Sequence, residues 1–224
     1  MKLTGTVLAI LVLATTAAFA ERGGSMGSTP ATPSVRADPA VVALEAYKRG
    51  ERRLDDVAKM EEKLKTTDEK AAAKLETKIA KQLENAAGDF RRAVKNDGNL
   101  YQAHSELGFA LRKLGQWDES LKAYDQALRL APGYAPAIEY RAEAYLGLNR
   151  VEEAQEAYLA LFAGDRPRAD VLFEAMQRWV VERRANPAGV AADQLERFAA
   201  WVDQRKTVHR QTTAQAGSSS GRSW

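Results

Sequence analysis

Between Leu100 and Pro136 the apolar positions fall in two groups. Leu107, Gly108 and Leu111 form the first. Leu121, Tyr124, Ala127 and Leu128 form the second, after Gln116-Trp117-Asp118-Glu119. Each group has the three-and-four spacing of a helix with one buried face. Gly115 interrupts between them and Pro132-Gly133 ends the second, so the stretch predicts two short antiparallel helices. The small side chains Gly108 and Ala127 allow these helices to approach closely. Upstream, Asp38-Pro39 supplies a capping residue followed by proline in the first turn. A helical stripe then runs through Leu44, Tyr47, Leu54, Val57 and Leu64. Thr66 and Glu69 stand at capping-box spacing, and a second long stripe carries Leu75, Ile79, Leu83, Ala86 and Phe90. The two arms are of similar length about Thr66 and predict a long hairpin with a charged extension at roughly residues 53–82. An unbroken helix over residues 39–95 is the other arrangement that fits the spacing. Downstream, Leu172, Ala175, Met176 and Trp179 mark a further helix. Asn186-Pro187 predicts the start of the next, carrying Leu195, Phe198, Trp201 and Val202.

A shift of 34 residues lays Leu111 on Tyr145, Gly115 on Asn149, Tyr124 on Tyr158 and Gly108 on Ala142, so the chain repeats itself. This pattern resembles the tetratricopeptide repeat, a helix–turn–helix unit of about 34 residues with aromatic, Leu-Gly, Tyr, Ala, aromatic and Pro places. In the first copy these places hold His104, Leu107-Gly108, Leu111, Ser120, Tyr124 and Pro132. In the second they hold Ile138, Arg141-Ala142, Tyr145, Ala154 and Tyr158, with Pro167 one place late. Arg141 and Ser120 depart from the family pattern, which bears on packing detail. One period earlier, Ala86, Phe90 and Ala93 suit the second helix of a preceding repeat. The resemblance implies an all-α protein, a short solenoid of antiparallel helix pairs whose first hairpin is elongated. The expected order is a long hairpin over 38–98, two repeats over 99–166 and a diverged third repeat with capping helices over 167–207. Stacked repeats need a polar outer face at the end, which Arg197, Asp203, Gln204 and Arg205 suit.

The chain ends change the picture of where this solenoid works. "MKLTGTVLAILVLATTAAFA" has a basic start, an uncharged apolar run and a close on Ala18-Phe19-Ala20, the pattern of a signal peptide cleaved after Ala20. An uncleaved anchor is the other reading of so long an apolar run, and the only expected membrane contact. Residues 21–37, rich in Gly, Ser, Thr and Pro, read as a flexible linker, and residues 208–224, ending in Trp224, as a disordered tail. A periplasmic or secreted location follows. The chain has no cysteine, which removes disulfides, thiol catalysis and Cys-ligated zinc. Lys and Arg number 33 against 30 Asp and Glu, a net charge of +3 that forms no basic stripe, so no nucleic-acid partner is expected.

Little in the chain is suited to catalysis. There are two histidines: His104 takes an aromatic packing place, and His209 lies in the tail. Neither has a partner at metal-ligand spacing. Ser105 adjoins His104 in sequence, but neighbours on a helix point in different directions. No glycine-rich phosphate loop is present. Trp117, Trp179 and Trp201 fall at packing or helix-start places. No catalytic residue, metal or cofactor is expected.

In tetratricopeptide proteins the first helices of successive repeats line a concave groove that takes an extended peptide or a helix. Carried onto this chain, the resemblance implies a groove lined by Gln102, Ser105, Phe109 and Arg112, then Glu139, Glu143 and Leu146, then Phe173, Gln177 and Val180. The best-known grooves clamp a terminal carboxylate with Lys, Asn and Arg. Here the corresponding face holds Ser105, Phe109, Glu139 and Glu143, which argues against such a clamp. Phe109 beside two glutamates suggests an apolar and basic partner segment, and reversing the charge of Glu139 and Glu143 together is expected to weaken binding without changing the melting. The expected function is a scaffold or adaptor for a protein or peptide. Self-association through the long hairpin, and binding of cell-wall glycans, are the alternatives.

Overall fold

The computed structural model describes residues 37–219, with side chains as far as residue 208. The expected signal peptide, the linker up to Arg36 and Trp224 lie outside the described residues. Among the described residues eight helices follow one another: α1 Pro39–Leu64, α2 Glu69–Asn96, α3 Tyr101–Lys113, α4 Trp117–Leu130, α5 Ala135–Gly147, α6 Val151–Gly164, α7 Arg166–Ala185 and α8 Ala192–Ser219. Each packs on the next, and the odd-numbered helices also pack side by side, α1 on α3, α3 on α5 and α5 on α7. The protein is an all-α solenoid of helix pairs.

The short turns inside the repeats have a local cause. Gly115 and Asn149 both have positive φ, 74° and 60°. Glycine and asparagine tolerate this conformation best. The amide of the following residue then reaches back to close the helix, Gln116 N donating to Leu111 O at 2.9 Å and Arg150 N to Tyr145 O at 2.8 Å. The same turn thus closes the first helix in both copies.

The pairs close on a small residue facing a large ring. A β-carbon added to Gly108 would stand 2.6 Å from the Tyr124 ring, and one added to Gly50 would stand 2.5 Å from Phe90. Tyr124, Phe90 and Tyr158 are completely buried. Ser120, at the family's small place, is tolerated because its hydroxyl donates to Gly108 O at 3.0 Å and so ties the two helices together. Arg141, at an apolar place, turns outward and pairs with Asp125 at 2.7 Å.

Gly50 and Phe90 make α1–α2 the first repeat. They lie 40 residues apart where Gly108 and Tyr124 lie 16 apart, so 24 residues have been added between them. That is roughly 12 residues, or about 18 Å of helix, in each arm. The arms reverse at residues 65–68, so the hairpin and not the unbroken helix is observed. The expected Thr66–Glu69 capping box does not form. Asp68 is the cap, accepting from Ala71 N at 3.0 Å, while Thr66 and Thr67 bond back to Lys63 O and finish α1. A carboxylate one residue before the helix outcompetes a hydroxyl two residues further out. The extension has its own small core of Val57, Ile79 and Leu83, with Leu54, Leu75 and Leu114 against it. Lys113 on α3 pairs with Glu61 at 2.6 Å, so the extension is held to the second pair rather than standing free.

The last pair, α7 and α8, departs from expectation at its turn. Asn186-Pro187 does not begin a helix. Ala188 and Gly189 follow with φ of 48° and 83°, which no helix accommodates, and α8 begins only at Ala192. Trp179 then packs edge-on to Phe198 at 5.2 Å, and Tyr158 edge-on to Trp201 at 5.5 Å, closing the C-terminal core. Where residues 208–224 were expected to be disordered, α8 continues to Ser219. The segment has no proline, and its first glycine is Gly217, so nothing in its backbone chemistry stops the helix earlier. Among the described residues, no helix is long and apolar enough to cross a membrane.

Candidate functional site: the inner face of the first helices

Because α1, α3, α5 and α7 are the first helices of their pairs, residues spaced along each of them meet across one face. Tyr101 meets Tyr134 edge-on at 4.9 Å, and Phe109 meets Tyr140 at 5.1 Å. Arg112 lies over Phe109 at 5.3 Å, and Arg168 over Tyr140 at 5.8 Å. Tyr47 of α1 stands beside Glu51 on the same face. All these aromatic residues are half-buried.

The structure brings some of the expected groove residues together and withdraws others. Phe109, Arg112 and Glu143 lie on this face, with Arg112 and Glu143 paired across α3 and α5 at 2.7 Å. The pair lines a cleft of about 310 Å³ with Trp117, Leu146, Trp179 and Arg183. Gln102 and Gln177 are half-buried at the two ends of the row. Ser105, Leu146, Phe173 and Val180 are buried, and Phe173 and Val180 belong to the C-terminal core. The helices approach one another closely enough to cover these positions. Glu139 is also buried, paired with Arg168 of α7 at 2.6 Å. Both glutamates expected to attract a basic partner are thus neutralised from within. Reversing their charges would place two lysines against Arg168 and Arg112, so that double variant is expected to melt lower, not unchanged. His104 is half-buried near Leu107 and Leu111, as expected of a structural residue, and sets a ring nitrogen 3.0 Å from Gly98 O in the turn before α3.

One carboxyl on this face is at a position the spacing did not single out. Glu106 is half-buried on α3 and makes no ion pair among the described residues. Its carboxyl is pushed up from 4.5 to about 7, first by burial and then by Glu51, with Arg168 opposing. Its field reaches Tyr47, Tyr134 and Tyr140, whose hydroxyls are raised mainly by burial and further by this carboxylate. The signal in sequence was Gly50: aligned on Gly108, it would have placed Tyr47 and Glu51 at the inward places of Ser105 and Phe109.

A stability prediction follows from this carboxyl. The folded state holds the proton more tightly than the unfolded chain, whose value is the ordinary 4.5. The favourable contribution is complete below 4.5 and is lost as pH rises through about 7. Glu106→Gln is therefore expected to stabilise the protein at pH 8 by on the order of 1–2 kcal/mol after solvent screening, and hardly at all at pH 4. Thermal melts of both proteins across that range check it.

The helix pairs define the class, an α-solenoid. A tetratricopeptide repeat family model matches residues 101–134, the stretch of α3, α4 and the turn after them. Residues 101–134 thus carry one tetratricopeptide repeat. Among solved structures it is similar to the second TPR domain of human RPAP3, in complex with an HSP70 peptide, at 18% identity over 61% of this chain and 97% of that one, TM-score 0.46. It is also similar to the TPR2B domain of yeast Sti1 in its complex with pHsp70, at 14% identity over 74% and 98%, TM-score 0.39. A third is MamA, at 15% identity over 72% and 96%, TM-score 0.41. No site residue is carried across from any of these. No curated protein matches the chain.

Proposed function

We propose that this protein is a non-catalytic scaffold that binds a segment of another protein along the inner face of α1, α3, α5 and α7. One observation carries the reading. Tyr47, Tyr101, Phe109, Tyr134 and Tyr140 are half-buried on or beside neighbouring first helices, with Tyr101 meeting Tyr134 at 4.9 Å and Phe109 meeting Tyr140 at 5.1 Å. Half-buried aromatic rings in fixed positions offer large contact area at little entropic cost. Affinity capture with the wild type and with Phe109→Ala/Tyr134→Ala tests it. One protein retained by the wild type and lost from the variant supports the scaffold. The same protein retained by both places the contact elsewhere.

The location belongs to the same proposal. The basic start, the apolar run and Ala18-Phe19-Ala20 support export with cleavage. Mass spectrometry of the protein from its native host is expected to find Glu21 at the N-terminus. A mature chain that retains Met1 would overturn the exported reading.

A further inference from the structure

We propose that the elongated hairpin is a self-association arm, in which the lysine-lined cleft on one side of α2 docks into the apolar cleft on the opposite side of α2 in a second copy of the chain. This surface is separate from the inner face, and the proposal does not depend on that reading.

The arm is an addition that the repeat itself does not need. The contact of Gly50 with Phe90 already closes the first pair, and the 24 added residues lie beyond it. The arm is also fixed in place, by its own core of Val57, Ile79 and Leu83 and by the pairing of Glu61 with Lys113 at 2.6 Å. A rigid element about 18 Å long therefore presents two sides.

On one side, Lys63 of α1 and Lys74 and Lys78 of α2 line a cleft of about 210 Å³, together with Leu75, Ala71 and Thr67. All three lysines are exposed, and none makes an ion pair among the described residues. The neighbouring Lys59 and Lys65, by contrast, pair with Asp56 and Glu62. On the other side, Leu64, Ile79, Leu83 and Leu114 line a cleft of about 300 Å³, with Glu61, Lys113 and Glu76 at the same opening. Glu61 is taken up by Lys113, and Glu76 makes no ion pair among the described residues. Glu76 lies two positions from both Lys74 and Lys78, which at about 100° per residue puts it about 160° round the helix from them. The two clefts thus open on opposite sides of α2.

Each cleft supplies what the other lacks. The apolar cleft has a floor of leucine and isoleucine and one carboxylate without a partner. The lysine cleft carries Leu75 flanked by Lys74 and Lys78, one turn apart on the same helix. A lysine lays its methylene stem on apolar surface and keeps its ammonium at the edge. Seated in the apolar cleft of a second copy, Leu75 and the two lysine stems cover the floor while an ammonium pairs with Glu76. A polyanion would satisfy the lysines alone, and an apolar segment the leucines alone. A second copy satisfies both.

Because the two halves of the contact lie on opposite sides, the contact is head-to-tail. Association then adds copies in a row or closes a ring, and does not stop at a two-fold dimer. An arm of this length and two helices wide offers each partner on the order of 400 Å², which places the contact in the weak, reversible class.

The protein and its variants, expressed in the native host, are compared by sedimentation velocity at concentrations up to about 0.5 mM and about 0.15 M salt, where long-range attraction is screened. The wild type is expected to show a sedimentation coefficient that keeps rising with concentration. Lys74→Glu/Lys78→Glu and Glu76→Lys, all at exposed positions, should melt as the wild type does and each weaken association at least about tenfold. An equimolar mixture of these two variants should recover association, because reversing both sides restores opposite signs. Phe109→Ala/Tyr134→Ala should associate as the wild type does, which keeps this test apart from that of the inner face. A wild type that stays monomeric throughout overturns the proposal. So does association that both hairpin variants leave unchanged, or a mixture of the two that recovers nothing.

Discussion

Replacing Tyr124 with alanine is expected to lower the free energy of unfolding by about 3–5 kcal/mol, the range for removing a fully buried ring. The ring is completely buried and covers Gly108 where α3 and α4 cross. It also meets Tyr140 of the next pair at 6.5 Å, so its loss opens a cavity between repeats as well as within one. Its hydroxyl contributes little to this. It lies near Arg112 and Ser120 but makes no hydrogen bond of normal geometry, and burial raises its pKa. Tyr124→Phe is therefore expected to change stability by less than about 1 kcal/mol. The reciprocal change acts from the other side. Gly108→Ala puts a methyl 2.6 Å from the ring, and the ring or the helix must move, at a cost of about 1–3 kcal/mol. A smaller side chain at 124 relieves that clash, so Gly108→Ala with Tyr124→Leu should cost less than the sum of the two single changes. Urea unfolding of the four proteins measures the coupling. Strict additivity would mean that the glycine is not selected by the ring.

That glycine–ring contact also shows how far the fold was legible in sequence. The two central repeats were readable because their information is local: a 34-residue shift, a Gly or Asn turn, and a small residue 16 positions before a large ring. The first repeat was harder because 24 added residues separate Gly50 from Phe90, and helical periodicity alone does not say which part of a long hairpin is the added part. Gly50 and Phe90 say it, once each small residue is matched to its ring. The turn after α7 was misread because Asn-Pro is a common helix start, whereas Ala188 takes a left-handed conformation that sequence rarely reveals.

The inner face was legible only in part, for a geometric reason. Repeat spacing identifies which positions of a first helix point inward. It does not give the tilt between neighbouring helices, and the tilt decides which inward residues stay open. Ser105, Phe173 and Val180 point inward and are covered, whereas Glu106 and Tyr140, one position on from expected residues, remain half-open. Ion pairs between repeats were equally hidden, because Glu139 and Arg168 lie 29 residues apart on different helices. Two glutamates that read as bait for a basic partner are internal structure, and the unpaired carboxylates are elsewhere on the same face.

Arg168→Met is the variant in which that internal structure is exposed, and it is expected to cost about 2–4 kcal/mol at pH 8. Glu139 is 4% exposed, so removing its partner leaves a carboxylate with little water and with Glu143 nearby. Even when paired, its carboxyl is held above the ordinary range, first by burial, with Arg168 pulling it back. Without Arg168 the folded value rises further above the unfolded one. The sign follows: below the unfolded value Glu139 is protonated in both states and the variant loses little, and the deficit grows as pH rises through the folded value. About a third of the Arg168 side chain remains exposed, which keeps the expected cost below that of a fully buried pair. Adding Glu139→Gln should restore most of the stability at pH 8, because a neutral amide does not need the guanidinium. If the double variant is as unstable as Arg168→Met, the loss comes from the packing of the arginine stem on Tyr140 rather than from the buried charge. Burial thus raises both Glu106 and Glu139, and the two differ in that Glu139 is held by a guanidinium at 2.6 Å, so the size of its cost depends on Arg168.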